Sequence, residues 1–362
     1  MMNSPVDGLS VALPSKGALY EATMSLLKNC GLPPKSKGER SYESSIKTLP
    51  GSRILYQRAT EIPAKVNDGT VDVGITGLDL VTELGWGTRA EDRRLSNLSV
   101  VLEDLGYGSA DLVLAVPNEW IDITSIGDLA DLALQWRSEG HTMRIATKFL
   151  YLTSDFLDRR GINHFMLIPS EGATEITPKL GLADLISDNM TTGSTLVANN
   201  LRPLSPAIFR SQACLVVNRD IAPHKLEQLQ TFIDLIESHL RAQSYYLVVA
   251  NIDGSLRPQG VDPTEWVYRQ LATTATRGMT LSEAYGSHTP GTTSLPDGSL
   301  GNRLSVVVPD RELYATVQRI RKMQGRDMAV FPMKYFFETE ALGYARFIAS
   351  LPPTAKALNP AG

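Results

Sequence analysis

Ala183-Asp184-Leu185-Ile186-Ser187-Asp188-Asn189-Met190-Thr191-Thr192-Gly193-Ser194-Thr195-Leu196 runs from an apolar segment through a lone acid into a loop of small hydroxyl residues. The apolar part reads as a strand ended by Asp188, with a helix beginning at Leu196-Val197-Ala198. Between them, Gly193 lets the backbone approach a ligand closely or take a positive φ. The hydroxyls of Thr191, Thr192, Ser194 and Thr195, with the positive end of the new helix, put donors at one spot, which suits a phosphate. Asp188, an acceptor only, is placed to hold sugar hydroxyls. The same composition also makes an ordinary turn in which Asp188 and Thr191 cap a helix, so the surroundings must decide.

Working outward, Val71-Asp72-Val73-Gly74-Ile75-Thr76-Gly77 reads as a buried strand leading into a Gly/Thr turn and a helix. A helix opened by Glu61-Ile62-Pro63 and closed by Gly69 precedes it. This alternation of strand and helix calls for a parallel sheet and an α/β fold. Residues 9–13 form another strand, and Pro14-Ser15-Lys16-Gly17 turns it into an amphipathic helix with Lys16 near its positive end. Residues 41–49 and 53–58 read as strands joined by a Pro50-Gly51-Ser52 turn, flanked by Arg40 and Arg58.

Strands at 99–105 and 112–116, separated by Gly106-Tyr107-Gly108, suggest a crossover into a second lobe. There, strands at 143–147 and 165–168 bracket a helix at 149–159. A strand at 213–217 and a helix at 223–241, striped by Leu226, Leu229, Phe232, Ile233 and Ile236, follow. Strands at 245–250, 304–308 and 328–331, with helices at 263–272 and 311–323, make a small ferredoxin-like module. It is interrupted by a loop rich in Gly, Ser, Thr and Pro.

The 362 residues are 43% apolar and 20% charged with a net charge of −4, enough for two or three cored units and no electrostatic reason to bind nucleic acid. Cys30 and Cys214 are the only cysteines, too few for a disulfide framework, and buried thiols in a reducing cytosol are expected. His141, His164, His224, His239 and His288 fall at no metal-ligand spacing. The first residues carry no basic n-region or apolar h-region, and no later apolar run would span a bilayer. A cytoplasmic protein without membrane contact is therefore expected.

Several blocks together resemble the ATP phosphoribosyltransferase family, the first enzymes of histidine biosynthesis, in the long form and most closely the plant-type branch. They are Leu13-Pro14-Ser15-Lys16-Gly17, Gln57-Arg58 with Glu61-Ile62-Pro63, and Val71 to Asp79. Arg144-Ile145-Ala146-Thr147, Gly172-Ala173-Thr174-Glu175, Gly181-Leu182-Ala183-Asp184, and Asp188 through Leu196 followed by Asn199-Asn200-Leu201 complete the series. The chain departs from the family at Ala18, where Arg is usual, at Ser187, which replaces the first of two acids, and at Asn189, which replaces an apolar residue. Its region 253–303 is expanded.

The resemblance implies a bilobed periplasmic-binding-protein-like catalytic body plus a C-terminal ferredoxin-like (ACT-like) regulatory domain. Lobe I would be 1–108 with 197–243, lobe II 109–196 with the phosphate loop, and the regulatory domain 244–349 with an insertion at 253–303 and a tail at 350–362. The implied reaction joins N1 of the adenine of ATP to C1 of 5-phosphoribosyl 1-diphosphate and releases diphosphate. Mg²⁺ would be the cofactor, histidine the inhibitor, and dimers or hexamers the assembly.

The implied roles give Lys16, Arg58 and Asp188 to catalysis. Asp188, Thr191, Thr192, Gly193, Ser194 and Thr195 would bind the phosphoribosyl group. Arg40, Asp72, Thr76, Asp79 and Glu175 would be secondary contacts to ATP, Thr280 would serve regulation, and no residue would ligate a resident metal. Three other readings stand beside this one: a phosphoribosyltransferase with another purine acceptor, a non-catalytic regulatory paralogue, and a solute-binding protein of the same fold.

Overall fold

The computed structural model describes residues 8–36, 43–87, 97–170, 172–253, 259–261, 271, 292–294 and 300–351. They divide into two compact units, one up to Ile233 together with the chain from Leu342 onward, the other Asp234–Ala341.

The first unit opens with β1 (Ser10–Pro14), α1 (Gly17–Asn29), β2 (Pro34–Ser36), β3 (Glu43–Ile46), β4 (Leu49–Gln57), α2 (Ile62–Asn67), β5 (Val73–Gly77), α3 (Leu78–Gly87) and β6 (Leu98–Leu102). A second run follows with β7 (Ala110–Pro117), α4 (Ile126–Ser138), β8 (Met143–Thr147), α5 (Leu150–Asp158), β9 (Phe165–Pro169), β10 (Leu185–Met190), α6 (Ser194–Ala198), β11 (Leu201–Pro203) and β12 (Phe209–Ser211). β13 (Ala213–Asn218) and α7 (Leu226–Ala242) come next.

The strands build two sheets, ordered β2-β3-β4-β1-β5-β13-β6 and β11-β7-β10-β8-β9, with β12 also on β7. β1 is parallel to β4 and β5, and β8 is parallel to β9 and β10, as the strand–helix alternation required. β1, β5 and β13 are buried along their whole length. Strands covered on both faces read as continuous apolar runs, which is why these were visible in the sequence. The bilobed α/β body is therefore present.

Two segments join the lobes side by side: Leu105 N–H donates to Ala213 O at 3.0 Å and Ala213 N–H to Tyr107 O at 2.9 Å. Gly108, at φ 73°, lies where a Cβ would come within 2.9 Å of Leu19.

Helix α4 has no counterpart in the sequence reading. Ser125 and Asp128 close a capping box at its start, and Ile126, Leu129 and Ala133 pack with Ile145, Phe156 and Leu185 in the second lobe's core. The expected Pro50-Gly51-Ser52 turn lies inside β4; the tight turn is Lys47-Thr48, with Ser52 Oγ accepting from Ile46 N–H at 2.9 Å.

The boundaries also move. β11 and β12 pair with β7, so the chain re-enters the first sheet at Ala213 and not at residue 197. The second unit contains β14 (Tyr245–Asp253), β15 (Thr292–Ser294), β16 (Leu300–Pro309), α8 (Leu313–Lys322) and β17 (Arg326–Pro332). It ends before α9 (Leu342–Ser350), whose Gly343 packs against Val101, Leu102 and Ile233 of the first unit.

The second unit's sheet is ordered β15-β16-β14-β17 and antiparallel throughout, as a ferredoxin-like module requires. Val248, Ala250, Ile252, Val308, Ile320 and Met323 form its core. The expected helix at 263–272, apart from Leu271, and most of the expected insertion lie outside the described residues.

Candidate active site

Ligands of open α/β sheets bind beyond the carboxyl ends of the parallel strands. In the second lobe those ends are Thr147, Pro169 and, after β10, the hydroxyl-rich loop.

β10 alternates its side chains across the sheet. Ser187 points into the protein, fully buried, and shares a 2.8 Å hydrogen bond with Thr153 of α5. Asp188 falls on the other face. After Met190 the chain turns at Gly193, φ 77° and ψ −5°, into α6. The first intrahelical bond runs from Val197 N–H to Gly193 O, so the amides of Ser194, Thr195 and Leu196 stand ahead of the helical ladder. Leu196 is buried and anchors the turn, while Thr191, Thr192, Ser194 and Thr195 are exposed. The Thr192 and Ser194 hydroxyls lie 3.0 Å apart. This is a donor-rich cradle with no anion of its own, the chemistry that receives a phosphate.

Beside the cradle, Asp188 Oδ1 accepts from Asn189 N–H at 2.8 Å and lies 3.6 Å from Lys148 Nζ. Burial raises the Asp188 carboxyl above its ordinary value, the Lys148 ammonium draws it back down, and the charge of Glu175 pushes it up. The structure thus brings Asp188, Glu175 and the 191–195 loop together. Glu175 sits in a single helical turn, Thr174–Ile176, entered through Ala173 at φ 51°. Lys148 was not singled out in the sequence; its signal was its place directly after β8, the strand that neighbours β10.

In the first lobe Pro14 pairs with Gln57, so Lys16 and Arg58 leave adjacent parallel strand ends. Ser15 N–H donates to Gln57 O at 2.8 Å, and both cations are exposed.

Three expected ATP contacts are committed elsewhere. Thr76 is fully buried and donates to Ala59 O at 2.8 Å, holding the segment after Arg58. Asp79 is 4% exposed, accepting from Ser211 Oγ at 2.8 Å through Oδ1 and from Asn189 Nδ2 at 2.7 Å through Oδ2. Asp72 lies at the opposite, amino end of β5, where it accepts from Ser10 N–H and Oγ at 2.7 and 2.6 Å and pairs with Lys225 at 2.9 Å. All three side chains are thus engaged by partners within the protein. Arg40 and Thr280 lie outside the described residues.

Two α/β lobes with a donor-rich loop beside a partly buried carboxylate suit a protein that handles a phosphorylated sugar. The family model described as HisG, ATP phosphoribosyltransferase, matches residues 58–238. ATP phosphoribosyltransferase 2, chloroplastic, of Arabidopsis thaliana is 32% identical over 97% of this chain and 84% of its own length. The ATP phosphoribosyltransferase of Bradyrhizobium diazoefficiens is 35% identical over 94% and 98%. A solved ATP phosphoribosyl transferase (HisG:HisZ) complex from Thermotoga maritima aligns at 28% identity over 63% of this chain and 96% of that one, with a TM-score of 0.48. The chain belongs to the ATP phosphoribosyltransferase family.

Among the described residues no helix is long and apolar enough to cross a membrane.

Proposed function

We propose that this chain transfers the phosphoribosyl group of 5-phosphoribosyl 1-diphosphate to N1 of the adenine of ATP, the committing reaction of histidine synthesis. The observation that carries the assignment of the site is the cradle of residues 191–195 beside Asp188. The cradle takes the 5-phosphate with amides and hydroxyls, and Asp188 accepts from the ribose hydroxyls. Glu175, near enough for its charge to act on Asp188, orients the sugar or the incoming base.

N1 of adenine brings a lone pair and no proton. Its attack on C1 forms the N–C bond as the C–O bond to diphosphate breaks, and the electron pair leaves with the diphosphate. No general base is needed for that step, so positioning and electrostatics supply the rate. Lys16 and Arg58 serve the triphosphate or the leaving diphosphate, Lys as a point charge and Arg as a fork of donors.

Among the described residues no group of three or more His, Cys, Asp or Glu could cage a metal. Mg²⁺ fits instead as part of the substrate, carried on diphosphate oxygens in keeping with its preference for phosphate and water ligands. The ferredoxin-like unit is the candidate receptor for histidine. Homo-oligomers and a cytoplasmic location belong to the same reading.

The test is diphosphate release by the full chain with 5-phosphoribosyl 1-diphosphate and Mg²⁺, comparing ATP with other purines, with and without histidine. ATP-dependent release suppressed by histidine is the expected result. Release with a free purine and not with ATP overturns the acceptor; release indifferent to histidine removes the regulatory role.

A further inference from the structure

Asp188 holds two contacts among the described residues, and both fall on one atom. Asn189 N–H donates to Oδ1, and Lys148 Nζ stands 3.6 Å from that same Oδ1. Oδ2 is left as the acceptor for a substrate hydroxyl. The arrangement follows from register: Ser187 of β10 pairs in parallel with Thr147, the last residue of β8, so Lys148, directly after β8, comes beside Asp188, which β10 still holds in the sheet against Val113 of β7.

Lys148 is held in that place from its own side. Thr147 Oγ1 accepts from Phe149 N–H at 2.9 Å and sets the turn into α5. Phe149 is fully buried, and Lys148 Nζ lies 4.9 Å from the centre of its ring. The Lys148 ammonium therefore stands over a fixed aromatic face, a weak attraction of about 0.5–1 kcal/mol at an exposed site.

The charges facing Asp188 are Lys148, from the β8–α5 junction, and Glu175, from the turn after β9. Burial and Glu175 both favour the neutral acid, and Lys148 opposes them. A neutral Asp188 would present a hydroxyl or a weaker acceptor to the sugar, so losing Lys148 costs both charge and orientation.

We propose that Lys148 is a positioning residue for phosphoribosyl transfer, fixing the Asp188 carboxylate through Oδ1 so that Oδ2 receives the ribose hydroxyls. This rests on the phosphoribosyltransferase reading, and binding and turnover are therefore measured separately. Lys148→Met, Lys148→Arg, Asp188→Asn and the Lys148→Met/Asp188→Asn double variant are made in the full chain. Binding of 5-phosphoribosyl 1-diphosphate is followed by calorimetry, and diphosphate release by steady-state kinetics, both across pH.

The expected result is that Lys148→Met weakens binding of 5-phosphoribosyl 1-diphosphate about tenfold near neutrality and moves the acid limb of kcat/KM up by about one pH unit, the lower end of what an opposite charge at this distance does to a carboxyl. KM for ATP stays near the wild-type value. Lys148→Arg recovers the acid limb, and Lys148→Met adds little to Asp188→Asn, because the lysine acts through the aspartate.

An unmoved acid limb in Lys148→Met overturns the proposal, as does a double variant whose losses multiply. Wild-type protein that binds 5-phosphoribosyl 1-diphosphate but does not turn over ATP sinks the reaction assignment alone, since the binding series still decides for or against Lys148. Wild-type protein that fails to bind it sinks both.

Discussion

Asn189 Nδ2 donates to Asp79 Oδ2 at 2.7 Å, a hydrogen bond from the end of β10 in the second lobe to the first turn of α3 in the first. Ser211 Oγ donates to the other oxygen of Asp79 at 2.8 Å, so this one carboxylate ties α3 to two strands of the opposite sheet. Gly77 is what makes room, because a Cβ there would sit 2.2 Å from Asp79 Oδ1. The residue directly after Asp188 is thus part of the join between lobes.

Replacing Asn189 by the apolar residue usual in the family tests that join. Asn189 Oδ1 is buried without a partner, so Asn189→Leu removes one unsatisfied acceptor. It also strips the donor from a charged, buried Asp79 oxygen. A carboxylate oxygen left without its donor is the larger cost, even with Ser211 still bonded to the other oxygen, and a net loss of about 1 kcal/mol is expected. Urea unfolding measures it; a variant as stable as wild type would show the bond carries nothing.

One turn along α3, Glu83 accepts from the amides of Tyr151 and Leu152, both at 2.9 Å, at the start of α5. Glu83→Ala removes this second tie. Burial raises the Glu83 carboxyl above its ordinary value of 4.5, so ionisation works against the folded state. The stability it lends is fully present below 4.5 and declines as pH rises through the folded value. The gap between wild type and Glu83→Ala is therefore expected to narrow from acid toward neutral pH, read as the difference in Tm; a gap that widens reverses the sign argued here.

Gly193→Ala tests the cradle. The position holds φ 77°, and an added Cβ would meet only Met190 Sδ, at 3.5 Å, an ordinary contact. Space is therefore not the obstacle; the left-handed backbone is, at about 1–2 kcal/mol for a residue with a side chain. If the loop relaxes to a negative φ, the amides of Ser194 and Thr195 turn away. A rise in KM for 5-phosphoribosyl 1-diphosphate with KM for ATP unchanged is expected, and equal rises in both would point to a general distortion.

The lobes were legible because β1, β5, β8 and β13 are short buried strands whose apolar runs no other element imitates. The loop was legible because few structures need four hydroxyls and a glycine between a strand and a helix. Helix α4 was not, since Gly127, Asp128 and Asp131 interrupt its apolar periodicity and only the Ser125–Asp128 capping box marks its start. Lys148 was missed because its role depends on which strand neighbours β10. Strand order is a property of the sheet, invisible to spacing along the chain. Asp72, Thr76 and Asp79 show the converse: the partners that engage polar residues of a matched block are distant in sequence and come into view only with the fold.

Asp72 gives that last point a measurement. Its carboxylate and the Lys225 ammonium are 2.9 Å apart with side chains only 12% and 14% exposed, and Ser10 donates to it twice. Removing one partner of such a pair leaves the other charge buried, which costs about 3 kcal/mol. Asp72→Ala should therefore lower Tm markedly. Lys225→Met, which leaves Asp72 its two Ser10 donors, should lower it less. Because this pair sits at the amino end of β5, away from Lys16 and Arg58 at the carboxyl ends of β1 and β4, folded Asp72→Ala should keep the wild-type KM for ATP. A raised KM for ATP in Asp72→Ala, with Lys225→Met unaffected, would return Asp72 to the substrate contacts.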